Sequence, residues 1–236
     1  MRSFVVMAMF LASFAHAAWN DYTEERDLEL DTADIDGLEI DSGAGSLDVK
    51  GVAGHDGIVV KATIVVSDAD EDEAARIIAD KMKLSLEKRG ERAELVADFK
   101  DGFMGRDLSA RIDLEITMPA GLALKIEDGS GSIDVKDLAS DVAIDDGSGS
   151  IDVQNVANLV IDDGSGSIDV VRASGDVSVT DGSGSISIRS VAGTVTIDDG
   201  SGSIKVSDVE EDLIIVDDGS GGVKFSDVRG TIEQDT

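Results

Sequence analysis

Aspartates beside a repeated glycine-serine turn are the residues of this chain best suited to chemistry. Asp128, Asp145, Asp146, Asp162, Asp163, Asp181, Asp198, Asp199, Asp217 and Asp218 all stand just before a Gly-Ser-Gly. The motif "DDGSGSI" begins at Asp145, Asp162 and Asp198, with near copies from Glu127, Thr180 and Asp217. Calcium takes about six to eight oxygen ligands, and columns of paired carboxylates offer them. The glycine-rich calcium roll, however, carries its motif at every half-turn. Here the second turns ("KDLAS", "QNVA", "VRASG", "RSVAG") lack it, so the match is partial.

The same residues also have a purely structural reading. Gly129 and Gly131 suit a sharp corner that needs unusual backbone angles. Asp128 can accept hydrogen bonds from the amides that follow it. Like carboxylates about 4.8 Å apart repel by only about 0.9 kcal/mol in water. Burial of some five aliphatic side chains per unit outweighs that, so an acidic column does not by itself demand a metal. We take the corner reading as the expectation, with no cofactor, and keep calcium as the alternative.

Other chemistry is poorly supplied. The chain has no cysteine, which excludes thiol catalysis and thiolate metal sites. Its histidines are His16, inside an N-terminal leader, and His55, alone in "VAGHDGI". A serine–histidine–aspartate triad or a zinc site would need more. The formal charge is −30, from 20 basic and 50 acidic residues, which excludes nucleic acid as the expected partner. Many β-helix enzymes act on acidic polysaccharides. With one Trp, one Tyr and no basic cluster, that activity is a minor alternative, and no catalytic residue is assigned.

The elements that must position the aspartates follow from the spacing. Taking the Asp before each Gly-Ser-Gly as marker, the intervals are 18, 17, 18, 18 and 19 residues. A short fixed period marks a solenoid. Each unit holds two period-two strands, such as Ile133 and Val135, then Val142 and Ile144, separated by a second turn at Leu138. Ile204, Val206, Val209, Ile214 and Val216 are assigned inward in the fifth unit. Val223, Phe225, Val228 and Ile232 close the array. The predicted fold is all-β: a single-stranded parallel β-helix of about 18-residue coils, expected to be right-handed.

The residues divide the chain as follows. Residues 1–17 read as a signal peptide, with Arg2, an apolar run and Ala15-His16-Ala17. Residues 18–37 are a lead-in. Residues 38–126 form an irregular first part of the solenoid, because "LEIDSGAGSLDVKGV" from Leu38 matches the repeat in residue type. Within it, residues 68–83 are predicted to be a helix capped by Ser67 or Asp68, and 84–99 a hairpin turning at Arg89-Gly90. Residues 127–236 are the regular coils.

Two outer rows follow from the alternation. On the second strand it predicts Ala143, Val160, Ser178, Thr196 and Ile215, all uncharged, as a possible partner face. On the first strand Asp134, Asp152, Asp169, Ser187, Lys205 and Lys224 change sign along the axis, which leaves homo-oligomers open.

The leader, "ARIDLEITMPAGLALKIEDGSGSIDV" and the tandem "DGSGSI" strands resemble the bacterial "putative adhesin" family, over roughly Leu38 to Ile232. The resemblance implies a β-solenoid in the periplasm or outside the cell. It supplies no catalytic residues. The expected function is that of an exported, non-catalytic binding or structural module of the envelope. Its partner there would be a protein or a glycan, with no insertion into the membrane.

Overall fold

A computed structural model describes residues 21–99 and 109–234; the leader expected at 1–17 lies outside them. In chain order the elements are β1 (Tyr22–Asp31), β2 (Gly37–Ala44), β3 (Leu47–Val52), β4 (Gly57–Val66), α1 (Glu71–Lys81), β5 (Met82–Arg89) and β6 (Arg92–Phe99). Then come β7 (Ala110–Pro119), β8 (Ala123–Lys136), β9 (Val142–Asp146), β10 (Gly149–Val156), β11 (Leu159–Asp163), β12 (Gly166–Ala173) and β13 (Val177–Asp181). The last are β14 (Gly184–Val191), β15 (Val195–Asp199), β16 (Gly202–Val209), β17 (Leu213–Asp217), β18 (Gly222–Val228) and β19 (Ile232–Gln234).

The strands of the coils sort into two facing parallel stacks. One runs β3, β8, β10, β12, β14, β16, β18. The other runs β2, β8, β9, β11, β13, β15, β17, β19. β8 serves both, because it passes through the Asp128–Gly131 corner without a break. This is a parallel β-solenoid of short coils, as the repeat spacing predicts. Identical residues stack on one another: Ile151 lies opposite Ile133 and Ile168, and Val153 opposite Val135 and Val170. Aliphatic columns from both stacks fill one continuous core. A space this narrow is best filled by Val, Ile and Leu.

The first coil begins where the residue match places it. Leu47, Asp48, Val49 and Lys50 pair with Ile133, Asp134, Val135 and Lys136. The lead-in contributes β1, which pairs antiparallel with β4, and β4 pairs antiparallel with β7. On the other stack, the hairpin β5–β6 adds to β2. The two extensions approach each other through β1 and β5.

Helix α1 is shorter than expected. Its cap is Asp70, whose carboxylate accepts from the Glu73 amide at 2.9 Å, and not Ser67 or Asp68. Asp68 sits at φ 55°, which lies outside the helical region. Met82 already belongs to β5, so the helix ends one residue after Asp80 and Ala74, Ile77 and Ile78 form its buried stripe.

Candidate functional site

Strand alternation decides what the aspartate pairs can do. In β9 the burial order is in, out, in, out, in, so Asp146 points into the coil and Asp145 out of it. Asp163 and Asp162 divide in the same way, as do Asp199 and Asp198. Asp181 points inward beside exposed Thr180. Neighbours in sequence are therefore on opposite faces and cannot close on one ion as a pair. The inward row is Asp128, Asp146, Asp163, Asp181 and Asp199, stacked in parallel register.

Each inward aspartate braces its own corner. Oδ1 of Asp146, Asp163, Asp181 and Asp199 accepts from the amide of Ser148, Ser165, Ser183 and Ser201, at 3.1, 3.1, 3.0 and 3.0 Å. The first coil has Ser42 in this place, and its hydroxyl donates to Asp128 Oδ1 at 2.5 Å. Burial is the main cause that pushes these carboxyls above the usual range, and neighbouring carboxylates add to it from Asp146 onward. Asp181 is raised to about 6. Burial also means that repulsion along this row is not the weak interaction expected in water.

The last corner is irregular. The pairing of β15 with β17 shifts between Ile197 and Asp198, with Asp198 opposite Asp217. The extra residue is Val216, which is exposed. One residue of slip turns every side chain over. The slip falls after Ile215, so Leu213 and Ile215 keep the inward register of Val195 and Ile197, and the inward assignment of Ile214 and Val216 is corrected. Asp217 takes over the bracing of its turn, accepting from the Gly219 amide at 2.8 Å, and Asp218 accepts from Gln234 Nε2 at 3.0 Å.

The uncharged row is corrected by the same slip. Ile215 is 1% exposed and cannot serve a partner face; Ile214 stands in its place. Ala143, Val160, Ser178, Thr196 and Ile214 lie directly opposite one another along the stack, and Val160 is 54% exposed. Beside them runs the exposed acidic row Glu127, Asp145, Asp162 and Asp198, broken by Thr180. On the opposite stack the sign-changing row carries its own counter-ions. Lys136 Nζ meets Asp134 at 2.6 Å and Arg189 Nη2 meets Asp169 at 2.9 Å.

The second corner holds a feature that the sequence reading missed. Asp137, Asn155, Arg172, Ser190, Asp208 and Asp227 all have φ between 55° and 65°. One left-handed residue therefore turns each coil just before the buried Leu138, Val156, Ala173, Val191 or Val209. Asn155 donates to Asp137 at 2.6 Å, and Arg172 Nε donates to Asn155 Oδ1 at 2.5 Å. These residues border a groove of about 560 Å³ whose floor is Leu138, Val156 and Ala173. The Asp and Asn at three of the first five places were the available signal.

No family model matches the chain. No curated protein sequence matches it either. Among solved structures it is similar to a "putative lipid binding protein" from Parabacteroides distasonis, at 16% identity over 92% of this chain and 95% of that one, with TM-score 0.47. It is also similar to a "putative adhesin" from Bacteroides fragilis, at 13% identity over 91% and 97%, with TM-score 0.44. A "putative cell adhesion protein" from Clostridium sporogenes is similar at 13% identity over 91% and 100%, with TM-score 0.36. At these identities and scores the likenesses carry no inference about the role of this chain.

Proposed function

We propose that the protein is an exported, non-catalytic β-solenoid of the bacterial envelope that binds an extended partner along its long face, in the manner the name adhesin implies. The observation that supports this reading is the aligned row Ala143, Val160, Ser178, Thr196 and Ile214. In a chain of net charge −30, five successive coils present an uncharged side chain at the same place. A ligand that runs straight along the stack meets an uncharged side chain at each coil, about 4.8 Å apart. The export half of the proposal rests on the leader-like residues 1–17. None of the helices among the described residues is long and apolar enough to cross a membrane.

The test is site-specific photocrosslinking in intact cells that express the full chain. A crosslinker at Val160 is expected to yield a discrete adduct in the envelope fraction, and one at Asp152 on the opposite stack is not. Equal yields from both positions, or a chain retained in the cytoplasm, would overturn the proposal.

A second reading is a calcium-stabilised secreted repeat protein. One observation favours it: the Oδ2 atoms of the inward aspartates have no hydrogen-bond partner. Calcium would then bridge successive coils, two carboxylates at a time, since no three acidic side chains converge on one point among the described residues.

A further inference from the structure

Four acids lie in the interior. Asp146, Asp163, Asp181 and Asp199 are 2, 2, 2 and 0% exposed. Each occupies the third inward position of its strand, where an aliphatic would complete the column begun by Val142 and Ile144. Asp128, half-buried, extends the row one coil toward the N-terminus.

Oδ1 of the four is committed to the turn amides already described. Oδ2 of all five is buried and meets no donor. A buried carboxylate oxygen without a partner is costly, and native interiors leave few of them. The column therefore has unfilled capacity for a positive ligand.

The surroundings supply none. The charged groups that act on Asp146, Asp163, Asp181 and Asp199 are other carboxylates: their neighbours in the row, the outward Asp145, Asp162 and Asp198, and Asp217 and Asp218 at the far end. Ser42 faces Asp128. The facing stack presents aliphatics, among them Ile133, Ile151, Ile168, Ile186 and Ile204.

Geometry separates a proton from a metal ion. A metal would want several oxygens around one point, and a straight ladder offers two at a time. A proton wants two. With its two oxygens, about 2.2 Å apart, turned along the stack, each carboxyl would stand about 2.6 Å from the next at a strand step of about 4.8 Å, the length of an O–H···O bond. Stacked side-chain amides use the same spacing in asparagine ladders.

We propose that Asp128, Asp146, Asp163, Asp181 and Asp199 form a proton-binding ladder inside the solenoid. Each proton, taken from solvent, rests on Oδ2 of one rung and is shared with a carboxyl oxygen of the next. The raised carboxyls support this. A folded-state value above the unfolded one gives stability that is full below the unfolded value and is lost as pH rises through the folded value. For Asp181 that window runs from 3.8 to about 6. The solenoid therefore gains stability on mild acidification.

The test uses the full chain in excess chelator. Carboxyl carbon shifts are followed by NMR through the titration, and urea midpoints are measured between about pH 8 and about pH 5. The expected result is at least one aspartate titrating near 6, with a midpoint that rises as pH falls. Asp181→Asn is expected to raise the midpoint at the alkaline end and flatten its pH dependence, because the amide donates a hydrogen bond and carries no charge. If that variant does not fold, the wild-type titration alone decides. Carboxyls that all titrate at or below their ordinary range, with a midpoint falling on acidification, would overturn the ladder. So would calcium restoring at the alkaline end the full stability seen at the acid end.

Discussion

A β-carbon placed on Gly166 would stand 1.5 Å from the carbonyl oxygen of Gly149, one coil earlier. The same closeness recurs at Gly149 against Gly131 and at Gly184 against Gly166. The corner glycines thus do more than bend the chain. They let successive turns stack backbone on backbone at the strand spacing, and the aspartates brace each turn from inside.

The first prediction follows from that contact. Gly166→Ala meets backbone above and strained φ below, so it should destabilise by about 3 kcal/mol or more in urea unfolding. Gly121→Ala, which meets open space, should change stability by less than about 0.5 kcal/mol. Equal effects at both positions would mean that the stacked corner is wrong.

The left-handed column at the second corner gives the opposite kind of variant. Ser190 holds φ 62° where Asn155 holds 56°. Asparagine tolerates that conformation better than serine, so Ser190→Asn should stabilise by about 0.5 kcal/mol. A loss of stability measured by urea unfolding would contradict the assigned turn.

The bulge at Val216 supplies a third. Deleting Val216 brings the β15–β17 spacing into line with the other coils, so the deletion should cost less than about 1 kcal/mol. Truncating the buried neighbour instead, by Ile215→Ala, empties a core position and should cost about 3 kcal/mol. The pair is read by comparing the denaturant midpoints of the deletion and the substitution with the parent.

Much of the fold was legible because the repeat states its own register. The offset that aligns Leu47 with Ile133 in the sequence is the offset at which those residues pair. The errors arose where one residue changes the phase. Counting alternation through β17 put Ile215 outside, since nothing in "LIIVDD" announces that Val216 is extra. In the sequence the aspartate pairs read as one patch, although alternation requires Asp145 and Asp146 to part. The helix start differs from the Ser67 or Asp68 that the sequence suggests because Asp68 is left-handed and the Glu73 amide donates to Asp70 instead. The left-handed column is hidden where it is filled by Arg172 and Ser190, which do not favour that conformation as Asn and Asp do.

The uncharged row is separable from folding. Val160→Asp places a charge on an exposed position, so stability should stay within about 0.5 kcal/mol of the parent. Envelope adducts captured from a crosslinker placed at Ser178 should fall sharply in the same variant. Unchanged capture would remove this row from the binding face.

The central claim, that "DDGSGSI" is the corner of a solenoid before it is anything else, is tested most directly by thermal melts. The chain is melted with excess chelator and again with millimolar calcium. A ligand that binds only the folded state raises the melting temperature by mass action. The aspartate-braced corner predicts the same melting temperature in both. A large rise with calcium that magnesium does not reproduce would contradict it and make the inward aspartates a metal site.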